Sequence, residues 1–203
     1  MSAQRLIIFL KAPRLGEVKT RLAVGLGPTG ALHAYERLVE TLLENLVTLE
    51  PVELRFTPDD AADEVGRWLR SGWTSRAQGY GDLGKRLCRA FREAFESDAS
   101  RVVVIGSDCP DVTPGDIEAT WAALATHDVV LGPAADGGYW LVGLRAPQKH
   151  IFETISWSTS SVLAETLERC KRGGLNVHRL RELRDVDTPE DWGRFLQTRQ
   201  NPA

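Results

Sequence analysis

The sequence predicts one α/β domain built in three layers, with a mostly parallel, mixed central sheet and helices on both faces. Three observations predict it. Arg5–Leu10 (RLIIFL) and Val102–Ile105 (VVVI) are apolar throughout, as strands buried on both faces are. Stretches with helical spacing alternate with such runs along the chain, the order that gives a largely parallel sheet. The length of 203 residues suits a single domain able to bury a full core without staples.

Taken in order, Arg5–Leu10 is the first strand, and a loop broken by Pro13 and Gly16 follows it. From Pro28 to Leu49, apolar residues at Leu32, Tyr35, Leu38, Val39, Leu42, Leu43 and Leu46 predict a helix. Pro51 restarts the chain, and Val52–Phe56 is a second strand. Pro58, Asp59 and Asp60 open a short helix through Leu69, and Ser75–Gln78 is a weak third strand. Helix Leu83–Phe95 takes Asp82 as its cap. After strand Val102–Ile105, Thr113-Pro114 opens a helix to Ala125. Asp128–Gly132 and Tyr139–Leu144 are strands joined through the turn signal Asp136-Gly137-Gly138, and Gly143 marks a bulge or a close approach. Ser158 or Thr159 caps helix Val162–Arg172, which Gly173 and Gly174 close. Leu175–Leu180 is a last strand. Thr188-Pro189-x-Asp191 then caps a final helix. The domain is expected over residues 1–198, with 199–203 as a flexible tail.

Composition excludes several classes. Hydrophobic content of 42% and charged content of 26% are ordinary for a soluble globular protein. A formal charge of −3 gives no reason to expect a nucleic-acid or membrane-surface partner. Cys88, Cys109 and Cys170 are odd in number and form no CxxC pair, so nothing calls for zinc or a disulfide frame, and a reducing cytoplasm is expected. The apolar core of the first segment, Leu6–Leu10, is too short for a signal peptide or a spanning helix.

Candidate site residues cluster at the carboxyl ends of strands, where open α/β sheets collect ligands. Asp108 lies just past Val102–Ile105. It is either a ligand for a hard cation such as Mg2+ or the side-chain cap of its own turn. The loop after the first strand holds Lys11, Arg14, Lys19 and Arg21 against one acid, Glu17, and reads as a phosphate cradle or as a solvated basic loop. It has neither the GxxxxGK[ST] nor the GxGxxG spacing. Gly16 gives the turn that points Lys19 back toward the strand end. Gly79, Gly81 and Gly84 around Asp82 allow a base or ribose to approach the backbone, or simply make a turn and a cap. Asp136, with Gly137 and Gly138, can bind a metal, orient a hydroxyl or hold its turn. Asp187 has no structural task that Thr188 and Asp191 do not already perform. Trp140 and Trp157 are core residues or acceptor-pocket walls.

Four motifs, KAPRLGEVKTRLAVGLG, GDLGKRL, GSDCPDVTP with GPAADGGYWLVGL, and DVDTPEDW, resemble together and in this order the nucleotide-diphospho-sugar transferase superfamily. That fold is shared by GT-A glycosyltransferases and many nucleotidyltransferases. More narrowly they resemble the bacterial glycosyltransferase-like family called transferase 1, associated with radical-SAM and selenium-linked domains. The likeness runs from about Arg5 to Leu196. More distantly, the motifs resemble those of phospholactate guanylyltransferase, molybdopterin guanylyltransferase and the CMP-sugar synthetases. The resemblance implies that Asp108 and Asp187 hold Mg2+ or Mn2+ and that Lys19 belongs to the phosphate loop. The usual LxGGxSxRxGxxK loop is replaced by Lys-Ala-Pro-Arg-Leu-Gly, and the glycosyltransferase DxD is reduced to Ser107-Asp108-Cys109.

The expected activity is Mg2+-dependent transfer from a nucleotide-sugar or an NTP to a small phosphorylated or hydroxylated acceptor. In it Lys19 and Asp136 are catalytic, and Lys11, Arg14, Gly16, Arg21, Gly81, Asp82, Gly84, Gly137 and Gly138 bind substrate. Phosphate or carboxylate acceptors need no base, whereas a hydroxyl acceptor would use Asp136. The alternative is a nucleotide-binding partner protein without turnover. A homodimer is allowed by the sequence.

Overall fold

The computed structural model describes residues 3–200, and they form the expected three-layer α/β domain. Seven strands make one sheet: β1 (Gln4–Lys11), β2 (Val52–Thr57), β3 (Thr74–Ala77), β4 (Arg101–Ile105), β5 (Val129–Pro133), β6 (Tyr139–Leu144) and β7 (Val177–Arg179). Their order is β3-β2-β1-β4-β6-β5-β7. Only the pairs made by β6, with β4 and with β5, are antiparallel. The helices are α1 (Thr20–Asn45), α2 (Ala62–Gly66), α3 (Leu83–Glu96), α4 (Pro114–Ala123), α5 (Val162–Arg172) and α6 (Pro189–Gln200), with a 3-10 turn at Lys149–Phe152.

The period of two in β1 divides the core. Leu6, Ile8 and Leu10 face a cluster with Leu42, Trp68 and Trp121, while Ile7 and Phe9 face Phe91, Phe152 and Cys170. Leu6, Ile7 and Ile8 are fully buried, each stabilising the fold by about 1.5–3 kcal/mol. The chain runs from β1 through α1 to β2 on one side, and from β3 through α3 to β4 on the other. The β1–β4 pair, in register at Ile7 and Val104, is therefore where the winding reverses.

The structure corrects several expectations. The first strand's loop ends at Lys19, and α1 starts at Thr20, eight residues before Pro28. It ends at Asn45 and is interrupted at Gly27, whose φ of 69° and ψ of 166° are not helical. Gly25-Leu26-Gly27-Pro28 reads as a break in sequence, but packing holds both halves. A Cβ on Gly25 would lie 2.6 Å from Pro189 Cγ, so the start of α1 seats directly on the start of α6. The N-cap position of α5 is Ser161, without a side-chain cap bond: the Thr159 hydroxyl donates to Ser156 O (2.7 Å) and the Ser161 hydroxyl to Glu165 (2.6 Å). The sheet's irregularity falls at Gly132/Pro133. Of the two readings of Gly143 the close approach holds, with Thr120 Cγ2 2.8 Å from where a Cβ would stand. The expected tail is helical through Gln200, and residues 201–203 lie outside the described region.

Among the described residues no helix is long and apolar enough to cross a membrane. Cys88, Cys109 and Cys170 are all free thiols.

Candidate active site

The chain leaves β1 at Lys11 and is pinned to the neighbouring strand by the Ala12 N–H, which donates to Thr57 O at 2.8 Å. A turn follows in which the Glu17 N–H donates to Arg14 O, with Gly16 at φ 79°. Lys19 then enters α1 in the left-handed conformation, φ 47° and ψ 46°. That conformation disfavours an L-residue by about 1–2 kcal/mol, and such strain gathers at functional sites. The Lys19 side chain is only 4% exposed. Its ammonium donates to Asp108 Oδ1 and, at 3.0 Å, to Asp187 Oδ1. Arg21, the second residue of α1, donates to Asp187 Oδ2. Burial pushes the Lys19 pKa down, but Asp108 and Asp187 outweigh it, so the ammonium is held above the usual lysine range.

Local structure explains why two acids 79 positions apart meet there. Past β4, the Gly106 N–H donates to Trp140 O, and Asp108 O accepts the Val186 N–H at 3.0 Å. That single backbone bond ties the Asp108 turn to the segment carrying Asp187. At Thr188 and Asp191 the helix cap is complete: Asp191 Oδ2 accepts the Thr188 N–H (2.9 Å) and hydroxyl (2.6 Å), and Thr188 Oγ1 accepts the Asp191 N–H (3.2 Å). The Asp187 carboxylate is left to the cations. Likewise α4 is capped by Thr113 with Asp116, and among the described residues the Asp108 carboxylate bonds Lys19. Asp108 is 51% exposed and Asp187 22%.

These groups stand in a cleft of about 870 Å³ over the β1–β4 crevice. It is lined by Lys11, Lys19, Arg21, Asp108, Asp136, Gly138 and Asp187 among the sequence candidates. Asp136 is exposed, and its Oδ1 accepts the Gly138 N–H at 2.8 Å, so it both holds its turn and faces the cleft.

Other candidates lie elsewhere. Arg14 pairs with Glu64 (2.7 Å) and Asp60 (3.0 Å) near α2, so its charge serves the fold. Gly16 makes the turn and borders no ligand space. Asp82 caps α3 by accepting the Lys85 N–H at 2.8 Å, and Gly81, at φ 112°, offers its carbonyl to Arg86. Gly84 is needed for packing, since a Cβ there would lie 2.6 Å from Phe152 O. Gly137, at φ 90°, packs its Cα against the Ser160 backbone. None of these last four lines the cleft.

Sequence reasoning missed Asp185, Cys109 and Arg86. The Cys109 thiol donates to Asp185 Oδ1 at 2.8 Å, and burial above all holds that thiol protonated. Burial, and then the charges of Asp108, Asp136 and Asp187, raise Asp185 to about 6 against the pull of the Cys109 bond. The signal was present: Asp185-Val186-Asp187 alternates acid, buried apolar, acid, which places both acids on one side of an extended segment. Arg86 lines the cleft from α3, anchored to Gly81 O at 2.8 Å and Gln78 Oε1 at 3.3 Å. Gln78 in turn clasps Leu10 O and Arg55 O, joining the ends of β1 and β2.

No group of three or more histidine, cysteine or acidic residues poised to hold a metal occurs among the described residues. The donor chemistry still fits a hard cation: two carboxylates already converge on one positive charge. Mg2+ is commonly held by one or two carboxylates together with substrate phosphates and water. Asp108 and Asp187 are the residues that could hold such an ion.

A family model described as an uncharacterized protein conserved in bacteria (DUF2064) matches residues 43–159. No curated protein sequence matches the chain. Among solved structures, a protein from Desulfovibrio desulfuricans G20, provisionally named a nucleotide-diphospho-sugar transferase, is 33% identical with a TM-score of 0.93, over 100% of this chain and 90% of that one. CMP:2-keto-3-deoxy-manno-octonic acid synthetase complexed with CTP is 12% identical, with a TM-score of 0.61 over 98% and 100%. Rv0371c of Mycobacterium tuberculosis H37Rv, in complex with manganese, is 15% identical, with a TM-score of 0.52 over 97% and 100%. The last two likenesses show the fold.

Proposed function

The chain belongs to the DUF2064 family, and from that premise we propose that it is a nucleotide-using transferase whose donor lies over the β1–β4 crevice. The observation that carries this reading is the meeting of three segments, around residues 19, 108 and 187, on one buried ammonium. The name of the Desulfovibrio relative supports a nucleotide-sugar donor, and the CTP held by a protein of the same fold supports an NTP. The narrower likeness to the radical-SAM- and selenodomain-associated transferases is part of the same proposal.

Lys19, Arg21 and Lys11 supply positive charge where the donor's phosphates would lie, and stabilise the charge that grows on them as the bond breaks. Asp108 and Asp187 would hold Mg2+ or Mn2+, which would offset the charge of the donor's phosphates. Before the donor arrives, Lys19 holds both carboxylates in place. With the donor bound, its N–H groups can turn to phosphate. Asp136 is placed to take the proton of a hydroxyl acceptor.

Thermal unfolding in the presence of each NTP and each nucleotide-sugar, with and without MgCl2, tests the reading. Saturating ligand should raise the melting temperature by about 5 °C or more, with magnesium, for at least one donor. No shift from either class, with or without the ion, would contradict it.

A further inference from the structure

This inference rests on the reading of the cleft just given and concerns the other reactant. Charge is segregated across the cleft. Lys11, Lys19, Arg21 and Arg86 line it: Lys11 at the end of β1, Lys19 and Arg21 at the start of α1 against Asp108 and Asp187, and Arg86 on α3 with its guanidinium turned to Thr57 and Gln78 at the end of β2. From the winding reversal toward β6 and β5 the lining changes to Asp136, Trp157, Ser158, Thr159 and Ser160. No lysine, arginine or histidine among the described residues lines that half.

That half is built rather than left over. The 157–161 strap is tied to the β5–β6 turn by the Leu163 N–H, which donates to Gly137 O at 2.9 Å, and by the contact of Gly137 with the Ser160 backbone. Ser158 holds φ 65°, a left-handed value uncommon for serine. Thr159 Oγ1 is consumed within the strap, whereas the hydroxyls of Ser158 and Ser160 bond no described residue. Asp136 spends Oδ1 on the Gly138 N–H and leaves Oδ2 without a described partner. Trp157 is half-buried at the base of the strap, its ring edge-on to Tyr139 at 6.5 Å.

We infer that the acceptor is an uncharged or amine-bearing polyhydroxylated molecule, and not a phosphorylated or carboxylated one, bound by Asp136 and the Ser158–Ser160 strap. A phosphate or carboxylate there would meet the Asp136 carboxylate, with no lysine, arginine or histidine among the described residues of that half to pair it, and like charges at contact repel strongly in a cleft of lowered dielectric. Hydroxyls donate to a carboxylate and exchange hydrogen bonds with serine hydroxyls, and an ammonium is attracted. In the transfer, the acceptor's hydroxyl oxygen bonds the donor's reacting phosphorus or anomeric carbon. The bond from that atom to the leaving phosphate oxygen breaks, its electron pair departing with that oxygen. The hydroxyl proton passes to Asp136 Oδ2.

The test uses the purified full chain, Mg2+ and a donor that binds. A small-molecule bacterial extract is split by anion exchange into retained (anionic) and unretained (neutral and cationic) pools, and donor-derived product is read by mass spectrometry. Product from the unretained pool is expected, with Asp136→Asn lowering its rate at least tenfold while donor affinity stays within twofold. Product only from the retained pool, product from neither pool while the donor binds, or an unchanged Asp136→Asn rate would overturn the inference and leave the nucleotide reading standing. Absence of any nucleotide binding would remove both.

Discussion

Lys19 is held in a backbone conformation that suits glycine, and its side chain is held by two acids from distant segments. The two effects can be separated by substitution. Lys19→Gly and Lys19→Ala both remove the ammonium, but only alanine carries a Cβ at φ 47°. The glycine variant should therefore be the more stable by about 1 kcal/mol in urea denaturation; equal midpoints would mean that the backbone is not strained. At this scale the sequence was readable where a residue's task is local. Asp82 as a cap follows from its place before a helix, and Asp187 was left over once Thr188 and Asp191 were assigned to capping. The pairing of Arg14 was not legible, because its partners lie 46 and 50 positions away, Asp60 just before α2 and Glu64 on it, and α2 is placed by tertiary packing. The burial that raises Asp185 depends likewise on tertiary packing, here of the segment after β7 against the end of β5.

At the scale of elements, the buried strands were legible from their runs of apolar residues, because a strand covered on both faces needs no alternation. The start of α1 was not. Leu22-Ala-Val-Gly-Leu-Gly-Pro28 has weak helix formers and an internal break, and it is helical because Leu22 is fully buried and Gly25 lets Pro189 approach. This tertiary contact also sets Asp187 beside Arg21 and Lys19, so a helix with poor intrinsic propensity positions the site. The β5–β6 turn shows a second coupling of element to site. Gly137→Ala would place a Cβ 2.2 Å from Ser160 O at a φ of 90°. It should destabilise the fold by about 1–3 kcal/mol and push the strap away from the cleft. Chemical denaturation checks the first effect, and a midpoint equal to the parent's would mean that the strap is not seated on the turn.

For the whole molecule, charge is organised at the cleft and around the rim of the sheet. Three carboxylates that lock elements together are held below the usual aspartate range. The Asn176 N–H, then Arg145, lowers Asp128. Burial opposes the shift at Asp116 and Asp191, but Arg181 with Thr113 pulls Asp116 down, and Thr188 pulls Asp191 down. A carboxyl whose folded pKa is depressed stabilises the fold fully above its unfolded value and loses that contribution as pH falls through the folded value. With an unperturbed aspartate at 3.8, unfolding free energy in urea should be lower at pH 3 than at pH 5, and a higher value at pH 3 would contradict the assignment.

The shared cation site at the winding reversal is the centre of the proposal, and it is tested most directly by Mn2+ titration followed by electron paramagnetic resonance, with and without the nucleotide that binds best. For the parent chain, tight Mn2+ binding should require the nucleotide. Asp108→Asn and Asp187→Asn should each weaken it at least tenfold while unfolding at a temperature close to the parent's. Undiminished Mn2+ binding in both variants, or none by the parent chain with nucleotide present, would contradict it.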